Sequence, residues 1–212
     1  MSRTIQEAIE NLHKVYPSQR ITYDGRHIKS KGKDRIINID VRNFIMINDS
    51  RIKNFVKVSG ALKVKSCDDK ALKVQQAVCK YLTYVYDEKN EGYTEFWQFP
   101  FETLALRYGD CEDGAILMCS AMIMAGIPAN RVRVCAGFVK AGDPHAPDGG
   151  HAYVTYMRNK DYMLTPLDWC YYPDPHIPIQ KKLPLCRNDK YKKMWFSFNH
   201  TGSWAKKPQR VR

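Results

Sequence analysis

The sequence has no CxxC pair; its seven cysteines are scattered and odd in number. That disfavours structural zinc of the knuckle type and a dense disulfide framework, and it suits a reducing compartment, so a cytoplasmic setting is expected. No apolar run approaches the roughly 20 residues of a membrane span, and the N-terminus MSRTIQEAIE has no apolar h-region. Neither a membrane segment nor Sec export is therefore expected. Internal repeats and low-complexity stretches are missing, as are helix-turn-helix, zinc-finger and ribonucleoprotein-type motifs.

What remains is a globular composition of 212 residues, 44% hydrophobic and 12% aromatic, which suffices for one self-supporting core. We read one domain over residues 1–212. Its core spans about residues 70–175, with an N-terminal helix and strands in 1–66 and a basic tail at 203–212. The net charge is +12. Because the basic residues are spread, with local density only at 29–35, 181–182, 190–193 and 206–212, they favour a solvated surface over a specific nucleic-acid interface. Weak nucleic-acid binding is the lesser expectation.

Thr4 and Glu7 form a capping-box pattern ahead of Ile5, Ala8, Ile9, Leu12 and Val15 at helical spacing, which predicts a short amphipathic helix. Residues 35–41, 44–47 and 52–58 are rich in β-branched side chains and predict short antiparallel strands. A helix is expected from Asp69 to about Tyr86. Met194, Phe196 and Phe198 alternate as a last strand, and residues from Gly202 onward are expected to fray.

The organising stretch is Gly109 to Gly126, GDCEDGAILMCSAMIMAG. From Ala115 to Ala125 it is almost wholly apolar, so a helix here has no polar face and must be packed on all sides. Asp110 is a good N-cap, Glu112 and Asp113 suit the first turn, and Gly126 with Pro128 supplies the stop. Cys111 thus stands at a helix N-terminus, where unpaired N–H groups favour a thiolate. Cys119 falls two turns later on the packed helix and reads as core.

Further along, a strand over 131–139 leads through a Gly/Pro/Asp-rich loop, 142–150, to alternating segments 151–157 and 162–168. A two-residue turn at Asn159-Lys160 sets His151 directly opposite Asp168, at a separation suited to a carboxylate holding an imidazole N–H. A nucleophile, a base and an orienting acid then follow in order as Cys111, His151 and Asp168. Acyl chemistry at a thiol also needs an oxyanion donor, and either the Gln98 amide or the Trp97 indole qualifies. Trp169, Tyr171 and Tyr172 open an aromatic, proline-rich arm that is expected to line the substrate cleft. No metal or organic cofactor is expected.

At these residues the chain resembles the transglutaminase-like cysteine proteins, particularly short bacterial and phage-encoded members. The resemblance is carried by Phe96-Trp97-Gln98-Phe99-Pro100 with Glu102-Thr103, Gly109-Asp110-Cys111-Glu112-Asp113, Arg131-Val132-Arg133-Val134, Gly149-Gly150-His151-Ala152-Tyr153 and Asp168-Trp169. It implies an α+β, papain-like core in which a buried helix carrying the nucleophile packs on an antiparallel sheet. It also implies Cys111 as nucleophile, His151 as base and Asp168 as orienting acid. Members of this short architecture look like peptidases or amidases, which implies a protein or peptide substrate. Acyl transfer to an amine is the rival activity, and a non-catalytic module that binds nucleic acid or a phage particle is the rival class. A phage-encoded member would work in the host cytoplasm or virion.

Overall fold

The helix that begins at Cys111 is the centre about which the rest of the chain packs. The computed structural model describes residues 4–30, 33–87, 95–140 and 148–211. Among these, the helices are α1 (Ile5–Val15), α2 (Ser50–Ser59), α3 (Cys67–Tyr81), α4 (Pro100–Leu106) and α5 (Cys111–Met124). Every α5 residue from Glu112 to Met122 is buried, which is what a helix without a polar face requires. On one side it packs against α2, α3 and α4. On the other it packs against the two strands that open the main sheet, β5 (Val132–Val139) and β6 (Gly149–Met157).

That sheet is antiparallel and runs in the order β7-β6-β5-β8-β9, with β7 at Leu164–Leu167, β8 at Tyr191–Asn199 and β9 at Gly202–Ala205. Helices on one side and a meandering antiparallel sheet on the other make the fold α+β. A second sheet joins β1 (Ile21–Ser30) and β2 (Lys33–Asp40), antiparallel, to β10 (Gln209–Val211), parallel to β1. Two short parallel strands, β3 (Thr83–Tyr84) and β4 (Tyr108–Gly109), tie the end of α3 to the residues before Cys111. No helix among the described residues is long and apolar enough to cross a membrane.

Helix α1 starts on the expected capping box: Glu7 N–H donates to Thr4 Oγ1 (3.2 Å) and Thr4 N–H donates to the Glu7 carboxylate (2.8 Å). Four expectations need correction. Residues 52–58 form helix α2 and not a strand. Asp49 caps it by accepting the Arg51 N–H (2.8 Å), buried Ile52, Phe55 and Val56 recur at helical spacing, and Gly60 closes it at φ +79. β-Branched content concealed that period. Residues 44–47 are not a strand either, since Val41–Phe44 is a 3-10 turn capped by Asp40. Helix α3 stops at Tyr81, and the backbone turns extended into β3. The tail does not fray at Gly202: the Asn199 side chain accepts N–H groups from Thr201 (2.8 Å) and Gly202 (3.2 Å), folding the chain back as β9, and β10 then adds to β1.

The β6–β7 connection also differs from expectation, and the difference reaches the site. Val154 pairs with Leu167 and Met157 with Leu164, so the turn spans residues 158–163 and not Asn159-Lys160 alone. Asn159 is drawn out of a tight turn by its partners: its N–H donates to Asp68 Oδ1 (2.9 Å) and its side-chain oxygen accepts from Arg131 (2.7 Å). Extended by one residue, this register sets Asp168 opposite Tyr153 and leaves His151 as its diagonal neighbour. A slip of two positions keeps the same face of the sheet, where a slip of one would have reversed it. Of the Gly/Pro/Asp-rich loop at 142–150, residues 142–147 lie outside the described residues.

Candidate active site

Cys111 is the first residue of α5, and its surroundings pull the thiol in opposite directions. The Ala152 N–H donates to its Sγ (3.4 Å), which places the sulfur at the backbone of the residue following His151. The thiol itself donates to Glu112 Oε2 (3.3 Å). Burial, reinforced by the Asp110 carboxylate, pushes the Cys111 thiol well above its ordinary value, and the Ala152 N–H only partly offsets this. The expectation of a thiol lowered by the helix N-terminus is therefore corrected in sign for the resting site.

His151 has one nitrogen spent and one free. Its Nε2 meets Asp168 Oδ2 at 2.8 Å, with both side chains fully buried, while Nδ1 is buried without a hydrogen-bond partner. A carboxylate can only accept, so Nε2 carries the hydrogen, and in the neutral ring Nδ1 is the basic atom. Asp168 is itself held firmly: Tyr191 OH donates to its Oδ2 (3.1 Å), and the Cys170 N–H donates to Oδ1 (3.1 Å). From α3, the Gln75 amide donates to the Asp168 carbonyl (2.8 Å). Burial raises the Asp168 pKa, yet the hydrogen bond and charge of His151, with the Cys170 and Tyr191 donors, outweigh it and hold the group below the usual carboxylate range.

Of the two oxyanion candidates, Gln98 and Trp97, the structure leaves only one with a free donor. Trp97 is stacked on Tyr23 (4.9 Å) and Phe198 (5.7 Å), and its indole N–H is committed to Glu95 Oε1 (2.6 Å). It is a core residue. Gln98 is fully buried, and both its side-chain amide atoms lack partners; its backbone N–H donates to Asp113 Oδ1 (2.7 Å), which sets it against the first turn of α5. An orphaned buried amide is costly unless something answers it. The Cys111 N–H, in the first turn, has no intrahelical acceptor and is a second donor.

The aromatic arm divides in the same way. Trp169 is buried and does not line an open cleft; its indole N–H donates to the Cys111 carbonyl (3.1 Å), bracing the start of α5. Tyr171 does face the site, its exposed ring standing edge-on to the His151 imidazole at 4.4 Å. Tyr172 turns away, donating to the Lys140 carbonyl with Lys190 over its ring. Gly114 is required by this arrangement: a Cβ there would sit 2.2 Å from Trp169 Nε1. Gly114→Ala is expected to force the rigid indole off Cys111 and to lower stability by about 1–3 kcal/mol. Thermal denaturation checks this, and an unchanged melting temperature would contradict the brace.

Tyr191 and Gln75 were not anticipated. Gln75 left a faint trace, a polar residue inside the buried stripe Ala71, Val74 and Val78, whereas nothing local to Tyr191 marks it. Carboxylates crowd the nucleophile as well. Asp87, Asp110 and Asp113 bring one oxygen each within 4.8 Å of the others. Burial raises Asp110, Glu112 and Asp113 above the usual carboxylate range, and the charge of Asp110 adds to the effect on Glu112 and Asp113.

The sequence of the transglutaminase-like superfamily matches this chain over residues 56–170, which spans α3 through Cys170 and includes all three catalytic candidates. The chain belongs to the transglutaminase-like superfamily. Among solved structures, LapG of Legionella pneumophila is similar in fold, with 21% identity over 72% of this chain and 75% of its own, at a TM-score of 0.55. Its calcium-bound form gives the same figures, and its EGTA-treated form gives 22% identity over 73% of each chain at a TM-score of 0.54. No curated protein matches the chain by sequence. The antiparallel sheet and the buried helix are thus the papain-like core of this superfamily, with Cys111, His151 and Asp168 gathered at one end of it.

Proposed function

We propose that this superfamily member hydrolyses an amide or isopeptide bond in a protein or peptide substrate through a thioester on Cys111. The observation that carries the reading is the division of labour on His151: Nε2 is fixed by Asp168, and Nδ1 is left basic and unpartnered on the strand that reaches Cys111 Sγ. Sγ attacks the carbonyl carbon while Nδ1 takes the thiol proton. The oxyanion that forms is met by the Cys111 N–H and the Gln98 amide. His151 then passes its proton to the leaving amine, and the thioester remains. Water attacks next, giving its proton to Nδ1, and the carboxylic acid departs as the thiol is restored. Asp168 keeps the imidazole in one tautomer throughout.

A cation belongs to the same reading. Asp87, Asp110 and Asp113 offer hard oxygen donors, and Asp110 Oδ1 is buried without a hydrogen-bond partner, a donor set that suits calcium. The calcium-bound LapG structure supports this choice of ion. Bound calcium would supply positive charge beside the first turn of α5. Calcium is expected to raise the melting temperature and EGTA to reverse the rise, with Asp110→Asn and Asp113→Asn blunting the effect. No shift with calcium would remove the ion from the account.

The function is tested by mass spectrometry of a peptide library incubated with wild type and Cys111→Ser, in the presence and absence of a primary amine. New free carboxyl termini or released amines, made only by the wild type, are expected. Products carrying the added amine in place of water would move the assignment to acyl transfer, and the absence of any product would remove the enzyme reading.

A further inference from the structure

One thiol beside the triad takes no part in the chemistry above. The Cys170 Sγ lies 3.7 Å from Asp168 Oδ1, and its own N–H donates to that same oxygen. One donor atom each from Cys170, His151 and Asp168 lies within 4.8 Å of the other two. Thiolate, imidazole and carboxylate are the three ligand types that zinc prefers, at bond lengths of about 2.0–2.3 Å. Tetrahedral ligands at such lengths stand a little over 3 Å apart, so the cluster needs only small side-chain movements to close on a metal. The charge also balances. One carboxylate, one thiolate and one neutral imidazole cancel the two charges of zinc, which matters where the His151 and Asp168 side chains are fully buried.

We propose that Cys170, His151 and Asp168 form a zinc site that shuts off the catalytic residues. Zinc takes the place of the hydrogen between His151 Nε2 and Asp168. The Cys170 S–H bond breaks as a Zn–S bond forms, and its proton leaves to the buffer. The neutral imidazole keeps one hydrogen, which must move to Nδ1. The atom that serves as base for Cys111 is then occupied. Hard cations do not follow, because calcium and magnesium ligate oxygen and disfavour thiolate. The metal-binding claim stands on the three ligands alone; only the inhibitory consequence rests on the hydrolase reading.

The test is calorimetric titration of zinc chloride into the full chain, with no substrate present, in buffers of different ionisation enthalpy. One zinc per chain and release of one proton are expected. Cys170→Ser and Cys170→Ala should weaken binding by more than the roughly 100-fold that loss of an outer-shell partner costs a metal site. Cys111→Ser and the exposed-site variant Cys186→Ser should bind as wild type does. Cobalt in place of zinc should show thiolate charge-transfer absorption in wild type and lose it in both Cys170 variants, whose folding circular dichroism would verify. Absence of one-to-one binding, survival of tight binding without Cys170, or its loss in Cys111→Ser would overturn the site. A chain that binds zinc in this way yet hydrolyses nothing would refute the hydrolase reading and leave the site standing.

Discussion

Cys111→Ser is expected to reduce amide hydrolysis by about 10⁴-fold or more while leaving the fold intact, because the loss of a nucleophile in a concerted group removes nearly all of that group's contribution. The serine oxygen can keep both neighbours of the sulfur, the Ala152 N–H and the Glu112 carboxyl, so stability should move by less than about 1 kcal/mol. Cys119→Ser provides the contrast. That thiol is completely buried in the apolar core beside the Val134 N–H, and burying the more polar hydroxyl there costs about 1–3 kcal/mol. For a chain of this size that lowers the melting temperature by roughly 2–4 °C per kcal/mol, with catalysis otherwise kept. Turnover and thermal melting measured on both variants separate chemistry from packing. Equal destabilisation by the two would mean that Cys111 is only another core thiol.

Asp168→Asn is expected to cost turnover on a similar scale, of order 10⁴-fold, the magnitude found when a triad carboxylate is replaced by an amide that imposes the wrong imidazole tautomer. Unlike Cys111, this residue also holds structure. It accepts from His151, Tyr191 and the Cys170 N–H, so Asp168→Ala should cost about 1–3 kcal/mol for each buried donor it leaves without an acceptor. The pH dependence has a definite sign. A folded pKa held below the unfolded value of about 3.9 means the carboxylate contributes stability that is present above that value and is lost as pH falls through the folded pKa. The stability gap between wild type and Asp168→Asn should therefore be full near neutrality and close in acid. Denaturant melts from pH 7 down to about 2 measure it, and a gap that widens toward acid would contradict the assignment.

Helix α5 was legible because its apolar run, its N-cap at Asp110 and its glycine stop all agree, and local agreement of that kind fixes an element without tertiary information. The side-chain meeting of His151 and Asp168 was legible through strand alternation, which survives a register slip of two. The slip itself was not, because it is imposed by Asn159 binding Asp68 and Arg131 from distant elements. Helix α2 was missed where β-branched residues masked a helical period that Asp49 and Gly60 delimit. The electrostatics of the nucleophile were misjudged for a similar reason. Glu112 and Asp113 read as ordinary first-turn charges, whereas their burial among Asp87, Glu95 and Asp110 is a property of the assembled fold. Tyr191 reaches Asp168 from a strand that begins beyond the aromatic arm, and no local pattern announces such a contact.

The central claim, that His151 activates Cys111, is tested most directly by the rate of iodoacetamide alkylation at Cys111, mapped by mass spectrometry in a Cys186→Ser background that removes the one exposed thiol. The account predicts that Cys111 is modified ahead of the remaining cysteines, that in calcium-free buffer its rate rises with pH because burial and Asp110 favour the thiol, and that His151→Ala slows it by about 10²-fold, the lower end of what a positioned base contributes. Alkylation of Cys111 at the same rate with and without His151 would contradict it.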